Sequence, residues 1–491
     1  MAAAAENGAF ALRGRFVQGV PGSPGSLELV EDGLVCVSGD GRISHFLKSN
    51  IKEFIDLNPS VNVHVLQSLD FCVPGMIDTH IHAPQYQYTG TATDLPLMEW
   101  LQKYTFPAES RCANTELALS VFDALVAKLL SHGTTTGVYY GSIHLEATKA
   151  LVDVCRARGQ RALVGKVAMD QHGAAGYEET TEAALRDTEA LINYCHACEP
   201  EAADAEARLV NPVVTPRFIP TCSSALLNGL GALAAKHRER GCWVQSHMAE
   251  SLDEEAFVEA LHPGRRDAEI FADAGLLTDR TIMAHGVHLS DAEMDRVAAA
   301  NAGIACCALS NYFFAHGAFR VREAQRRHVR VGLGTDIAGG YSPSLLVAGR
   351  HAVTASKVLS WSAPTASEVE IDYKHAFWMA TIGGAMAIGL DHTLGHLAPG
   401  KLFDACVIEG GAGVYATEED FSPRAASGHK RKADTEAACD ALPSPSLSAD
   451  FERWFNLGDD RNVRRVYVRG RAVHERDAPR GSTVTRGQPL S

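Results

Sequence analysis

The chain has 491 residues, 46% of them hydrophobic and 21% charged, the composition of an ordinary globular protein large enough for one big domain and a smaller one. Its net charge of -14 speaks against nucleic acid as a partner, because polyanion binders lead with a basic face. Small neutral or cationic ligands suit it better.

The opening "MAAAAENGAFALRGRF" has no basic segment followed by an apolar core, so it does not read as a secretory signal. Since no run of about 18 apolar residues suggests a membrane span either, the expected compartment is the cytoplasm, with the 12 cysteines mostly reduced. From residue 9 to 70 the chain carries β-type runs such as "GLVCVSGDGRISHF", with "GDG" as a turn between two strands. Residues 1–72 are therefore expected to supply half of a small β-sandwich.

From residue 73 to 400, short β-rich runs alternate with helical patterns. The expected strands are "GMIDTHIH" (75–82), "GTTTGVYYG" (133–141), "RALVGKVAMD" (161–170), "LVNPVVTPRF" (209–218), "CWVQSHMAE" (242–250), "TIMAHGVH" (281–288), "GIACCALSN" (303–311) and "VRVGLGTD" (329–336). Between most of them lie segments with apolar residues at helical spacing, such as "LALSVFDALVAKLLSH" and "DEEAFVEALH". Eight strand-then-helix units with mostly apolar strands predict an α/β fold, a TIM-like (β/α)8 barrel rather than an open sheet. The lone C-x-x-C at Cys195 and Cys198 has no second pair at zinc-finger spacing and reads as ordinary residues near a helix end.

Residues 401–491 are expected to complete the β-sandwich through "LFDACVI" (402–408) and "VRRVYVRGRAV" (463–473). The intervening stretch, about 410–448, is rich in Pro, Ser and Gly without sustained period and reads as a mobile insertion. Its "HKRK" is four residues of a solvated loop rather than a targeting patch.

The chemistry centres on "PGMIDTHIH", Pro74 to His82. With 21 histidines, chance alone supplies about one His-x-His pair, so the motif has to be judged by its surroundings. On a strand, residues two apart share a face, which puts Asp78, His80 and His82 together. If this is the first barrel strand, both histidines point to the C-terminal mouth, where such barrels build their sites. His247, His285 and Asp336 reach the same level from other strands, with Arg217 beside them. One histidine at a strand end is usually a hydrogen-bonded core residue; five imidazole and carboxylate groups at one mouth form a ligand set suited to Zn²⁺, or to Fe²⁺ as a close second.

At this point the sequence resembles the metal-dependent amidohydrolase superfamily, carried by "PGMIDTHIH", "SHMAE", "MAHG" and "GLGTDIAGG" in that order. Within the superfamily it is most similar to the guanine deaminase branch, through "DLPLMEWLQKYTFPAE", "GQRALVGKVAMD", "VVTPRF", "LGTDIAGGYS" and "LGDDRNVRRVYV". The resemblance covers nearly all of the chain outside the insertion. It implies a mononuclear metal site of His80, His82, His247 and Asp336, with Glu250 moving protons and His285 hydrogen-bonding the water to be activated. It also implies a purine held by Gln85, Arg217 and Phe218, hydrolysis of guanine to xanthine and ammonia, and a homodimer. Trp100 is a further stacking candidate, equally readable as packing. The fourth strand lacks the lysine that bridges two metals in some relatives, in keeping with one metal. A departure lies at strand seven, where "ACCALSN" places Cys306 where the family usually has His and Ala308 where it has Pro; a small buried filler is the expected role of Cys306.

Competing chemistries fit less well. His144-Leu145-Glu146 matches half of the nucleotide-deaminase zinc motif, but the chain contains no Pro-Cys dipeptide. His474-Glu475 lacks the second histidine of a zinc protease, and Gly332-x-Gly334 lacks the third glycine of a dinucleotide fold. What stays open is another aminated heterocycle, an 8-oxopurine, a pterin or a triazine, or a non-catalytic scaffold on a deaminase fold.

Overall fold

The structure, a computed structural model, describes residues 9–67, 69–200, 208–410 and 446–476. Most of the expected insertion, 411–445, lies outside the described residues.

Eight parallel strands form the barrel: β1 (Met76–His82), β2 (Thr134–Tyr140), β3 (Arg161–Gly165), β4 (Val210–Pro216), β5 (Trp243–Met248), β6 (Thr281–His285), β7 (Gly303–Cys306) and β8 (Arg330–Leu333). Each pairs with its sequence neighbour, and β8 closes on β1 through Leu333 opposite Asp78. Both faces of these strands are buried, as in parallel sheets covered by helices. Ile77, Val138, Leu163, Val213, Trp243, Ile282 and Ala305 pack together in one cluster. The helices sit outside. Helix Thr115–Ser131 begins where Asn114 accepts from the amides of Glu116 and Leu117, and it buries Ala118, Phe122, Leu125, Val126 and Leu129 on one stripe. Helix Leu252–Leu261 starts on a capping box of Ser251 and Glu254.

The strands end earlier than their sequence patterns suggest. β8 stops at Leu333, and Asp336 follows in a loop; β5 stops at Met248, two residues before Glu250. Ala249, His285 and Asp336 all take left-handed backbone, with φ of 47°, 72° and 50°. Such torsions, costing about 1–3 kcal/mol each at non-glycine residues, end strand pairing and turn side chains into the mouth.

The two termini form one eight-stranded sheet beside the barrel, combining Phe10–Val20, Ser23–Val37, Ile43–Leu47, Asn62–Val65 and Phe71–Pro74 with Ala405–Ile408, Val463–Val468 and Arg471–Glu475. Its edge hairpins meet at Phe403, which donates its amide to Gly41 O and accepts from Gly470 N. The sheet thus wraps Leu12, Phe16, Val35, Val37, Phe403 and Tyr467 into a second core. The run 463–473 is two strands, not one, because Arg469 and Gly470 form a turn with positive φ at both positions.

Helix Leu447–Leu457 begins inside the stretch whose composition suggests an insertion to about 448. Ser446 caps it, and Leu447, Phe451, Trp454 and Phe455 are buried at helical spacing. Arg161, at the start of β3, is clamped by both oxygens of Asp404, which also accepts the Arg469 amide, so the buried pair bolts the barrel floor to the terminal sheet. Asp404→Ala leaves that guanidinium buried and unpaired. It is expected to lower unfolding stability by about 3–5 kcal/mol in denaturant melts; a loss under about 1 kcal/mol would show that the pair does not hold the two units together.

Candidate active site

The residues proposed as ligands, proton carriers and substrate contacts lie at the C-terminal mouth of the barrel. His80 and His82 end β1, Arg217 and Phe218 follow β4, His247 and Glu250 come from β5 and its loop, His285 ends β6 and Asp336 follows β8. His82, Gln85, Trp100, Arg217, Phe218, His247, Glu250, His285 and Asp336 all line one concave pocket, apolar on one side with polar groups converging on the other, as small-molecule sites are built. His80 adjoins it, its Nε2 3.2 Å from Asp336 Oδ1.

Asp336 Oδ1 is also 3.6 Å from His82 Nε2, and His82 Nε2 is 3.0 Å from His247 Nε2. Two imidazole nitrogens at this distance satisfy one another only if one of them carries a proton; as two lone pairs they call for a cation between them. His247 Nδ1 is 2.6 Å from Arg217 O, an arrangement in which Nδ1–H donates and Nε2 keeps its lone pair for the shared centre. His80 Nε2 is buried and makes no hydrogen bond at all. Desolvation pushes the pKa values of His80, His82 and His247 well below the usual imidazole value, so all three present neutral rings. Neutral imidazoles and one carboxylate with converging, unsatisfied atoms fit a metal ion.

Asp336 Oδ2 faces the other way, 3.9 Å from His285 Nε2, which in turn lies 3.5 Å from Glu250 Oε2. His285 Nδ1 meets Asn311 Oδ1 at 2.9 Å, so its Nε2 is left as the acceptor in the cavity. Burial, and then the Asp336 charge, raise the Glu250 carboxyl well above the ordinary carboxylate range. The loop carrying it is fixed from behind: Glu254 Oε2 accepts the Glu250 amide at 2.7 Å and Asp267 Oδ2 accepts the Ala249 amide at 2.9 Å. Asp78, which shares the His80 face, accepts from the Thr335 amide and hydroxyl and so ties β1 to the loop after β8; burial moves it up to about 7.

Opposite this group the cavity changes character. Trp100 lies 4.6 Å from Phe314 at a tilted angle, and with Leu97, Leu101 and Phe218 it makes an apolar wall. Leu101 and Phe314 each sit in a π-helical turn, Leu101–Thr105 and Asn311–Ala315, an irregularity common at sites. The Arg217 fork is engaged by Glu109, and Gln85 donates to the same carboxylate at 2.9 Å while accepting the Ala338 amide at 3.1 Å. Glu109 and Tyr177 carry weight that the sequence reading missed; Glu109 closes the quoted segment "DLPLMEWLQKYTFPAE", but nothing in its spacing singles it out. Cys306 faces outward into the helix layer as a buried filler, and among the described residues no candidate metal group includes a cysteine.

The amidohydrolase family pattern matches residues 71–473, and the chain belongs to that family of metal-dependent hydrolases. Within it the chain stands among the guanine deaminases. It is 36% identical over 470 residues to the guanine deaminase of Rattus norvegicus, covering 95% of this chain and 96% of that one. To the Escherichia coli enzyme it is 32% identical over 456 residues, covering 92% and 93%. Among solved structures, guanine deaminase from C. acetobutylicum with bound guanine superposes with a TM-score of 0.80 at 29% identity, covering 95% of this chain and all of that one. Among the described residues, no helix is long and apolar enough to cross a membrane.

Proposed function

We propose that this enzyme hydrolyses guanine to xanthine and ammonia, using one metal ion held by His80, His82, His247 and Asp336. The observation that carries the reading is the two-ended cavity: a converging His/Asp group on one side, and on the other a neutral donor-acceptor array in an apolar slot. Full-length similarity to guanine deaminases, and the guanine bound in one of them, support the same substrate.

The donor set favours zinc, with iron(II) the nearest competitor. When bound, zinc lowers the pKa of a water in its open position to about 7 and so supplies the nucleophile at neutral pH. The side chains do the rest. Asp336 turns its free Oδ2 into the cavity, where it orients the attacking water. Glu250, already inclined to hold a proton, takes one from that water and passes it to a purine ring nitrogen, which makes C2 more electrophilic. His285 Nε2 accepts a hydrogen bond from the hydroxyl now on C2, and Glu250 then takes that hydroxyl's proton and gives it to the amino group, which leaves as ammonia. Arg217 and Gln85 fix the purine edge, while Phe218 and Trp100 flank its ring. Homodimeric assembly, as the resemblance implies, and the cytoplasmic location expected from the sequence complete the proposal.

The test is a heterocycle panel. Ammonia release should be fastest, by kcat/KM, with guanine; a pterin, an 8-oxopurine or a triazine outpacing it would reassign the substrate while keeping the chemistry.

A further inference from the structure

The recognition end of the cavity is built on an ion pair, not on a lone cation. Arg217 Nη1 and Nη2 donate to the two oxygens of Glu109 at 2.6 and 3.0 Å, and Tyr177 and Gln85 donate to the same carboxylate at 2.7 and 2.9 Å. Glu109 is fully buried and Arg217 is 2% exposed, so water does not screen either charge. The guanidinium also lies over the Phe106 ring, 4.8 Å from its centre. Five N–H donors on Arg217 minus two committed leave hydrogens free for a ligand, but the charge behind them is cancelled. The recognition end of the cavity is therefore close to neutral.

The geometry points to Glu109 as a positioning residue that makes the site selective for neutral purines over purine anions, acting through Arg217. This rests on the deaminase reading above and adds a consequence. Guanine offers Arg217 a carbonyl and a ring nitrogen as neutral acceptors. Xanthine, whose ring N–H is flanked by two carbonyls, is the more acidic of the two and ionises more readily. A site with an uncompensated arginine would grip that anion and be throttled by its own product; with Glu109 in place, ionisation of xanthine weakens its hold.

The experiment measures inhibition constants of xanthine and of hypoxanthine, a purine that ionises only at higher pH, from neutral to mildly alkaline solution with metal-loaded enzyme. In the unaltered protein the xanthine-to-hypoxanthine ratio should climb by about tenfold for each pH unit once xanthine is ionised. In Glu109→Gln the climb should vanish, leaving the ratio at least about tenfold lower at the alkaline end, whereas Glu109→Asp, which keeps the charge, should follow the unaltered protein. A flat ratio in the unaltered protein, or an equal climb in Glu109→Gln, overturns the inference; if Glu109→Gln does not fold, the first of these still decides. Should guanine not be turned over, the same ratios read by calorimetric binding separate failure of the reaction from failure of the charge selectivity.

Discussion

Glu250→Gln should lower kcat for guanine by at least about 10²- to 10⁴-fold while the protein keeps its full metal content, measured by steady-state kinetics and elemental analysis on the same sample. The substitution preserves size and removes only the ability to accept and return a proton. Its surroundings predict little disturbance: Glu250 is held by its backbone amide, through Glu254, and no side-chain hydrogen bond of its own is at stake. The four proposed ligands are untouched. Because one residue is asked to make more than one transfer, the effect should fall in kcat rather than in KM. Near-normal turnover with full metal would remove Glu250 from the mechanism.

His247→Ala should behave differently, losing metal and activity together. His247 Nε2 faces His82 Nε2 at 3.0 Å beside His80, and its ring is locked by Arg217 O. Disturbing such a second-sphere hydrogen bond alone costs about 10–100-fold in metal affinity, and removal of the ligand itself should exceed that. The variant should be isolated largely metal-free, with residual rate proportional to the metal retained. Full occupancy with low rate would instead place His247 in catalysis and not in binding.

Much of this architecture was legible because barrel strands announce themselves. β2 and β5 are buried at every position, and His82, His247 and His285 stand at or next to the ends of β1, β5 and β6, where the mouth can receive them. Positions that depend on backbone turning were harder. Asp336 reads as a strand end, yet it lies three residues past β8 with φ of 50°, a torsion no side-chain pattern encodes. Glu109 escaped because its partners, Gln85, Tyr177 and Arg217, come from three separate stretches and meet only when the barrel closes. Helix Leu447–Leu457 was readable, since Ser446 followed by Leu447, Phe451, Trp454 and Phe455 is a cap and an apolar stripe; the polar composition preceding it drew the boundary two residues too far. At strand seven the sequence pattern showed the departure from the family, and only the fold shows that Cys306 turns away from the cavity.

Guanine hydrolysis at a metal centre held by this His/Asp group is tested most directly by metal titration of the stripped enzyme. Protein freed of metal by a chelator should have lost guanine turnover while remaining folded by circular dichroism. Adding zinc back should restore xanthine formation in proportion to bound metal, levelling off near one ion per chain. Undiminished turnover by folded, metal-free protein would contradict the account at its root.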